Sequence, residues 1–276
     1  MFSPLNHSCV GNYNVRIWHF WPPTAEHELM SNTPLKSQCP CGSGAPYFRC
    51  CGDLDERHWT ESAPGRLQGS FSDDSLKSHV ADEPCCEFQG MQLPPGLLVK
   101  QLDDSYNWRE TASAMSNTPD ALDALVKAGS GDTKLSKWRV TDIVDQGAHA
   151  SQVTAMVRRA FRDEAQPFYG RELRSLETPH VLRYRVNSYY RPHADSDQLN
   201  PTSQRWERIH DRDLSLLIYL DDDYDGGELA FPNFDFRLRP RPGMLVIFPS
   251  DFRYLHGAMP VTRGLRHAVV SWCALK

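Results

Sequence analysis

The sequence predicts an α+β fold: a small barrel or sandwich of short strands, buttressed by helices that precede them. Two observations carry this. In HASQVTAMVRRAFRDEAQPF, the residues Val153, Met156, Val157, Ala160 and Phe161 recur at spacings of three and four, one apolar stripe of helical period. After Pro179 the pattern changes to short β-like runs (VLRYRV, LSLLIYL, GELAF, MLVIF and HAVVSW), punctuated by DDDYDGG and RPRPG. Shorter helices are expected over Asn107–Met115 and Asp120–Ala128.

A chain of 276 residues holds one large domain, or a medium domain plus a small one. Four segments separate by composition. Residues 1–28 form an N-terminal extension with an aromatic cluster, Trp18, Phe20 and Trp21. Residues 29–60 carry CPCGSGAPYFRCC, and residues 61–87, rich in Ser, Gly, Pro and charge, read as a linker. Residues 88–276 read as one continuous domain. The formal charge of −5 argues against a membrane or direct nucleic-acid binder. No apolar run reaches the roughly 18 residues of a membrane span, and the first residues lack the basic and apolar regions of a secretory signal. The expected location is cytoplasmic, where cysteines serve as metal ligands or buried thiols rather than disulfides.

Cys39, Cys41, Cys50 and Cys51 form C-x-C-x8-C-C. Four thiolates so close, with Gly42 and Gly44 permitting tight turns, suit one tetrahedral Zn2+, which would supply most of the folding free energy of a segment too short to bury a core. Reduced cysteines without metal, a strained Cys50–Cys51 disulfide and an iron–sulfur cluster are the alternatives. Cys85-Cys86 has no partner pair nearby, and Cys273 reads as a core thiol.

A second cluster lies in YYRPHADSD. In an extended strand residues i and i+2 share a face, so His193 and Asp195 converge. They are either a solvated strand end or part of a metal site. His256, following the apolar run MLVIFPS, is the best third ligand. Two histidines and a carboxylate on one face leave open positions, the arrangement of non-haem Fe(II) oxygenases. His210, in a charged loop, and His267, on the opposite strand face from Arg266, read as surface histidines. Arg266 is placed to pair with a carboxylate of a bound acid, and Tyr184 to donate a phenolic hydrogen bond to it.

These residues fall into the order R-Y-x5-Y-x2-H-x-D (Arg183, Tyr184, Tyr190, His193, Asp195), GGELAFP (Gly226 to Pro232), FPS (Phe248 to Ser250) and H-x3-P-V-x2-G-x-R (His256, Pro260, Val261, Gly264, Arg266). In this the segment resembles the catalytic core of the 2-oxoglutarate/Fe(II)-dependent dioxygenases, in their prolyl 4-hydroxylase-like branch. The resemblance implies a double-stranded β-helix (jelly-roll) core and iron held by His193, Asp195 and His256. It further implies that Arg266, helped by Tyr184, anchors 2-oxoglutarate as co-substrate, with succinate and CO2 as products and ascorbate as a reductant. A carboxylate at 195, where related halogenases carry Gly or Ala, favours hydroxylation. CPCGSGAPYFRCCG in turn resembles the SEC-C motif and implies a structural Zn2+ in a small four-cysteine knuckle and a protein partner, although Ala45-Pro46 departs from the basic residues common there.

Between Asp195 and Leu214, a region that flanks the active-site mouth in the resembled family, Arg205, Trp206 and Arg208 are candidate substrate contacts or part of a solvated surface loop. The leading expectation is hydroxylation of a protein residue, proline favoured. The alternatives are the same chemistry on a free amino acid or small metabolite, and a non-catalytic adaptor built on the zinc module.

Overall fold

The computed structural model describes residues 80–103, 106–116, 118, 139–200, 202–203 and 205–276. The chain enters through a short hairpin, β1 (Glu87–Phe88) and β2 (Met91–Gln92), then β3 (Leu98–Gln101) and helix α1 (Trp108–Ser116). Strands β4 (Arg139–Val140) and β5 (Asp142–Val144) precede helix α2 (Ala150–Ala160), which continues through a π-helical turn, Phe161–Ala165, into α3 (Gln166–Tyr169). The strands β6 (Leu173–Leu176), β7 (His180–Tyr184), β8 (Tyr189–His193), β9 (Asp197–Leu199), β10 (Trp206–Arg208) and β11 (Leu214–Tyr219) follow. The chain closes with β12 (Tyr224–Gly226), β13 (Leu229–Phe231), β14 (Phe236–Leu238), β15 (Met244–Pro249), β16 (His256–Ala258), β17 (Val261–Gly264) and β18 (Arg266–Leu275).

The larger sheet has the order β3-β15-β11-β18-β7-β5, with β6 also pairing with β18; the smaller has the order β14-β13-β16-β8-β4. All pairings within both are antiparallel. The larger sheet is covered on both faces, which is why its central strands read as continuous apolar runs rather than alternating ones. On one face Leu214, Leu216, Ile218, Leu245, Ile247 and Val269 pack with Val153, Met156, Val157 and Phe161 of the long helix and with Trp108 and Met115 of α1. On the other, Tyr219, Met244, Val246, Phe248 and Ala268 meet Leu229, Phe231 and Leu238 of the smaller sheet. The helical stripe and the helix expected near Asn107 are therefore both present and both buried, and each expected strand appears. The helix expected over Asp120–Ala128 lies outside the described residues.

Arg183 ties α1 to the sheet. It is 1 % exposed, pairs with Asp142 at 3.1 Å, and Nη1 donates to the carbonyls of Ser116 and Thr118 at 3.3 and 3.2 Å. Backbone carbonyls left free at a helix C-terminus attract a cation. This motif arginine serves helix docking, on the face away from His193, Asp195 and His256.

Candidate active site

His193 ends β8 and His256 begins β16, and the two are Cα partners across the smaller sheet. Asp195 lies just beyond β8. Its backbone N–H and that of Ser196 both donate to the Ser250 carbonyl at 2.9 Å, which fixes the turn that brings the carboxylate back to the histidines. His193 Nε2 is 3.5 Å from Asp195 Oδ1, His256 Nε2 is 3.4 Å from Asp195 Oδ2, and one ligand atom from each residue lies within 4.8 Å of the other two.

Both imidazoles are oriented from behind. His193 Nδ1 lies 2.8 Å from the Arg191 carbonyl and His256 Nδ1 lies 3.2 Å from the Tyr254 carbonyl. A carbonyl only accepts, so Nδ1 carries the proton and the Nε2 lone pairs face Asp195. Such outer hydrogen bonds set the tautomer of ligating histidines. Burial pushes the His256 pKa down to about 4, so the ring is neutral at neutral pH. For Asp195 burial acts the other way, but His256, His193 and the Ser215 hydroxyl outweigh it and hold the carboxyl well below its usual range. The donor set fits a divalent cation such as Fe(II).

A β-bulge shapes the same region. Between the pairs His256↔His193 and Ala258↔Tyr190, β8 advances three residues while β16 advances two. The extra residue re-aims the strand, so Tyr190 stacks on His193 with centroids 3.6 Å apart instead of pointing to the other face.

Arg266 lies inside the sandwich, 2 % exposed, opposite Tyr184. Its guanidinium carbon is 4.5 Å from the Tyr184 ring centroid and 4.9 Å from that of Tyr219, and Nη2 donates to Tyr219 Oη at 3.3 Å. Among the described residues its Nε and Nη1 are buried without a hydrogen-bond partner, as is the Tyr224 hydroxyl. Unsatisfied donors this deep cost stability unless something is bound there. They fit the carboxylate of a small acid. Burial raises the Tyr219 hydroxyl to about 12, which keeps it a neutral donor beside the arginine. The turn before β13 makes room: Gly226 and Gly227 have φ of 69° and 67°, and a Cβ on Gly227 would lie 2.9 Å from Arg266 Cδ.

His193, Asp195, His256, Arg266 and Tyr184 are thus all buried or half-buried at the places their spacing indicates. The region of Arg205, Trp206 and Arg208 is not a plain loop: β9 and β10 form a hairpin. Trp206 stacks on Phe252 with centroids 5.7 Å apart, Arg208 is held by Asp213 at 2.9 Å, and Arg205 is exposed. Two expectations need correction. His267 does face away from Arg266, but it is fully buried rather than on the surface, with Nδ1 2.5 Å from Asp221 Oδ2, because helices cover that face of the sheet. The general expectation of cysteines outside disulfides fails at Cys85, which is disulfide-bonded. His210 is exposed and Cys273 is buried, as expected. The zinc ligands Cys39, Cys41, Cys50 and Cys51 lie outside the described residues.

Sequence reading missed Ser215, Tyr219, Tyr224 and Arg212. Alternation along LSLLIYL offered one signal, since Ser215 and Tyr219 share a face of an otherwise apolar strand.

Comparison with known proteins agrees with this geometry. Residues 179–274 match the 2OG-Fe(II) oxygenase superfamily. A protein of Acanthamoeba polyphaga mimivirus named "Putative prolyl 4-hydroxylase" is 27% identical over 214 residues, covering 72% of this chain and 87% of that protein. Human prolyl 3-hydroxylase 3 is 44% identical over 89 residues, but these span 29% of this chain and only 12% of that one. A prolyl hydroxylase of Trichoplax adhaerens, solved with a hypoxia-inducible-factor peptide fragment, superposes with a TM-score of 0.51 at 15% identity, over 80% of this chain and 95% of that one; it shares the fold. The chain therefore carries a 2OG-Fe(II) oxygenase domain with prolyl hydroxylases among its homologues. That domain marks it as an enzyme of the oxygenase or hydroxylase type. Among the described residues no helix is long and apolar enough to cross a membrane.

Proposed function

We propose that this protein is a 2-oxoglutarate-dependent hydroxylase of a prolyl residue in a protein or peptide, releasing succinate and CO2. The observation that carries the reading is the pairing of two half-finished sites inside one sandwich: a His193–Asp195–His256 face with its lone pairs aimed inward, and a buried Arg266 with unused donors.

His193, Asp195 and His256 would hold Fe(II), and Arg266, with Tyr219 and Tyr184, the far carboxylate of 2-oxoglutarate. Held there, Fe(II) and the 2-oxo acid would supply the activation of dioxygen needed to hydroxylate a C–H bond. The chain's own residues set the conditions. Ser215 donates to Asp195 Oδ2 at 2.6 Å and so steers the carboxylate toward presenting Oδ1. Phe248 and Phe231 pack around His256, centroids 4.5 and 6.1 Å away, and exclude water from behind the ligands. Phenolic hydroxyls around Arg266 orient it without neutralising its charge.

The homologues named as prolyl hydroxylases favour proline as the target, and the SEC-C-like Cys39–Cys41–Cys50–Cys51 cluster, proposed to hold Zn2+, favours a macromolecular partner. Ascorbate is proposed as reductant and the cytoplasm as location. The test is succinate formation by the Fe(II)-loaded protein with 2-oxoglutarate and air, against macromolecular and small-molecule fractions of a cell extract, with His256→Ala as blank. Stimulation by the macromolecular fraction is expected; stimulation by small molecules alone would move the substrate to a free metabolite.

A further inference from the structure

One cation near the proposed iron ligands has no carboxylate to hold among the described residues. Arg183, Arg208, Arg212 and Arg253 each grip a carboxylate at 3.1 Å or less. Arg139, on β4 beside Tyr190, has no ion pair and no side-chain hydrogen bond among the described residues, and its Nε is buried without a partner. It is held in place by an aromatic ring: its guanidinium carbon lies 5.0 Å from the centroid of Tyr190, the ring that stacks on His193 at 3.6 Å. Tyr190 thus connects this arginine directly to an iron ligand.

None of the carboxylates around it pairs with it among the described residues. Arg212 belongs to the same neighbourhood, but Glu177 takes it in two hydrogen bonds of 2.6 and 2.7 Å. Asp195 is committed to Ser215 and the two ligand histidines. His180 is also within reach, and burial together with the Arg139 charge disfavours its protonated form. With Arg212 paired to Glu177, the Arg139 guanidinium is left without a direct counter-ion among the described residues, a planar donor half-buried beside Tyr190. Such a guanidinium pairs with a carboxylate in two parallel hydrogen bonds.

We propose that Arg139 is a specificity-determining residue that binds a carboxylate of the substrate, seated beside Tyr190 while the oxidised carbon faces His193, Asp195 and His256. The carboxylate is either an acidic side chain flanking the target residue of a peptide or the α-carboxylate of a free amino acid. The proposal rests on the hydroxylase reading above and adds the chemical class of what is recognised.

The test uses the whole chain loaded with Fe(II) and 2-oxoglutarate. Binding is measured anaerobically by calorimetry, and hydroxylation in air by mass spectrometry. Matched ligands differ in one charge: single-proline peptides with Glu or Gln at each flanking position, and L-proline against its amide. Wild type is expected to bind the acid member of at least one pair about tenfold more tightly, a difference of about 1.4 kcal/mol, with the effect in KM rather than kcat. Arg139→Gln should erase the preference, Arg139→Lys retain part of it, and Arg139→Glu shift it toward Lys-flanked peptides. Arg263→Gln, an exposed arginine paired with Asp225, controls for charge loss alone and should keep it. Preference confined to peptides identifies a flanking acidic residue, and preference confined to proline over its amide identifies an α-carboxylate; either supports the proposal. Equal binding of acid and amide in every pair, no binding of any ligand, or a preference that survives Arg139→Gln overturns it. Failure of the hydroxylase reading looks different: wild type would then form no succinate from 2-oxoglutarate with any ligand present or absent.

Discussion

Ser215 Oγ donates to Asp195 Oδ2 at 2.6 Å, and Tyr219, four residues along the same strand face, accepts from Arg266 at 3.3 Å. One strand, β11, therefore supports both halves of the site, its two polar side chains about 13 Å apart along the strand. Removing the first should disturb only the iron end. Ser215→Ala is expected to weaken binding of Fe(II) about tenfold, the lower end for loss of a hydrogen bond behind a metal ligand, and to leave the affinity for 2-oxoglutarate of the metal-saturated protein unchanged. Metal titration followed by co-substrate titration checks both.

Arg266→Ala should do the converse. With its carboxylate partner gone, the concentration of 2-oxoglutarate for half-maximal turnover is expected to rise by tenfold or more, the usual cost of truncating one side of a buried charged hydrogen bond. Metal affinity should stay within twofold. A variant that loses both together would show that the two halves are not separable.

The pair His256→Ala and His267→Ala separates a ligand from a structural histidine. The first is expected to abolish stoichiometric metal binding. The second removes a buried ring whose partner, Asp221, also accepts the His267 backbone N–H at 3.0 Å. It should cost about 1–3 kcal/mol of stability while metal binding persists. Denaturant titration and metal titration of both variants distinguish them.

A pH dependence follows from His256. Its pKa is pushed down to about 4 by burial, against about 6.5 in an unfolded chain. Above pH 6.5 the ring is neutral in both states and its environment is not penalised. As pH falls from 6.5 toward 4 the unfolded chain takes up the proton and the folded one does not. The metal-free protein should then lose on the order of 3 kcal/mol from this group alone. Urea unfolding of metal-free wild type and His256→Asn across that range should show a smaller loss in the variant; identical slopes would remove His256 as the cause.

The fold and the ligand face were legible in sequence for a shared reason. The helical stripe from Val153 to Phe161 and the His-x-Asp spacing both express a local period, and local periods survive into structure. What stayed hidden depends on contacts between strands. Arg212 lies 17 residues from Asp195, yet Nη1 donates to the Asp195 carbonyl at 3.2 Å while its guanidinium covers Trp272 at 3.8 Å. No spacing announces that. His267 was assigned the right face and the wrong solvent, because alternation says which way a side chain points and not what covers it. Tyr190 and His193 share a face only through the bulge in β8. The cysteine cluster belongs to residues the structure does not describe.

The adjacency of Arg266 and His267 has a consequence for how the protein fails. One faces the interior of the sandwich and the other the helices, and β18 pairs with β11, β7 and β6 along its length. A slip of one residue in β18 would exchange them, turning the arginine out toward α1 and the imidazole in. No intermediate alignment serves both. Damage to this strand's pairing should therefore show in a population as fewer competent molecules, each with ordinary kinetics, and not as a uniform population of sluggish ones.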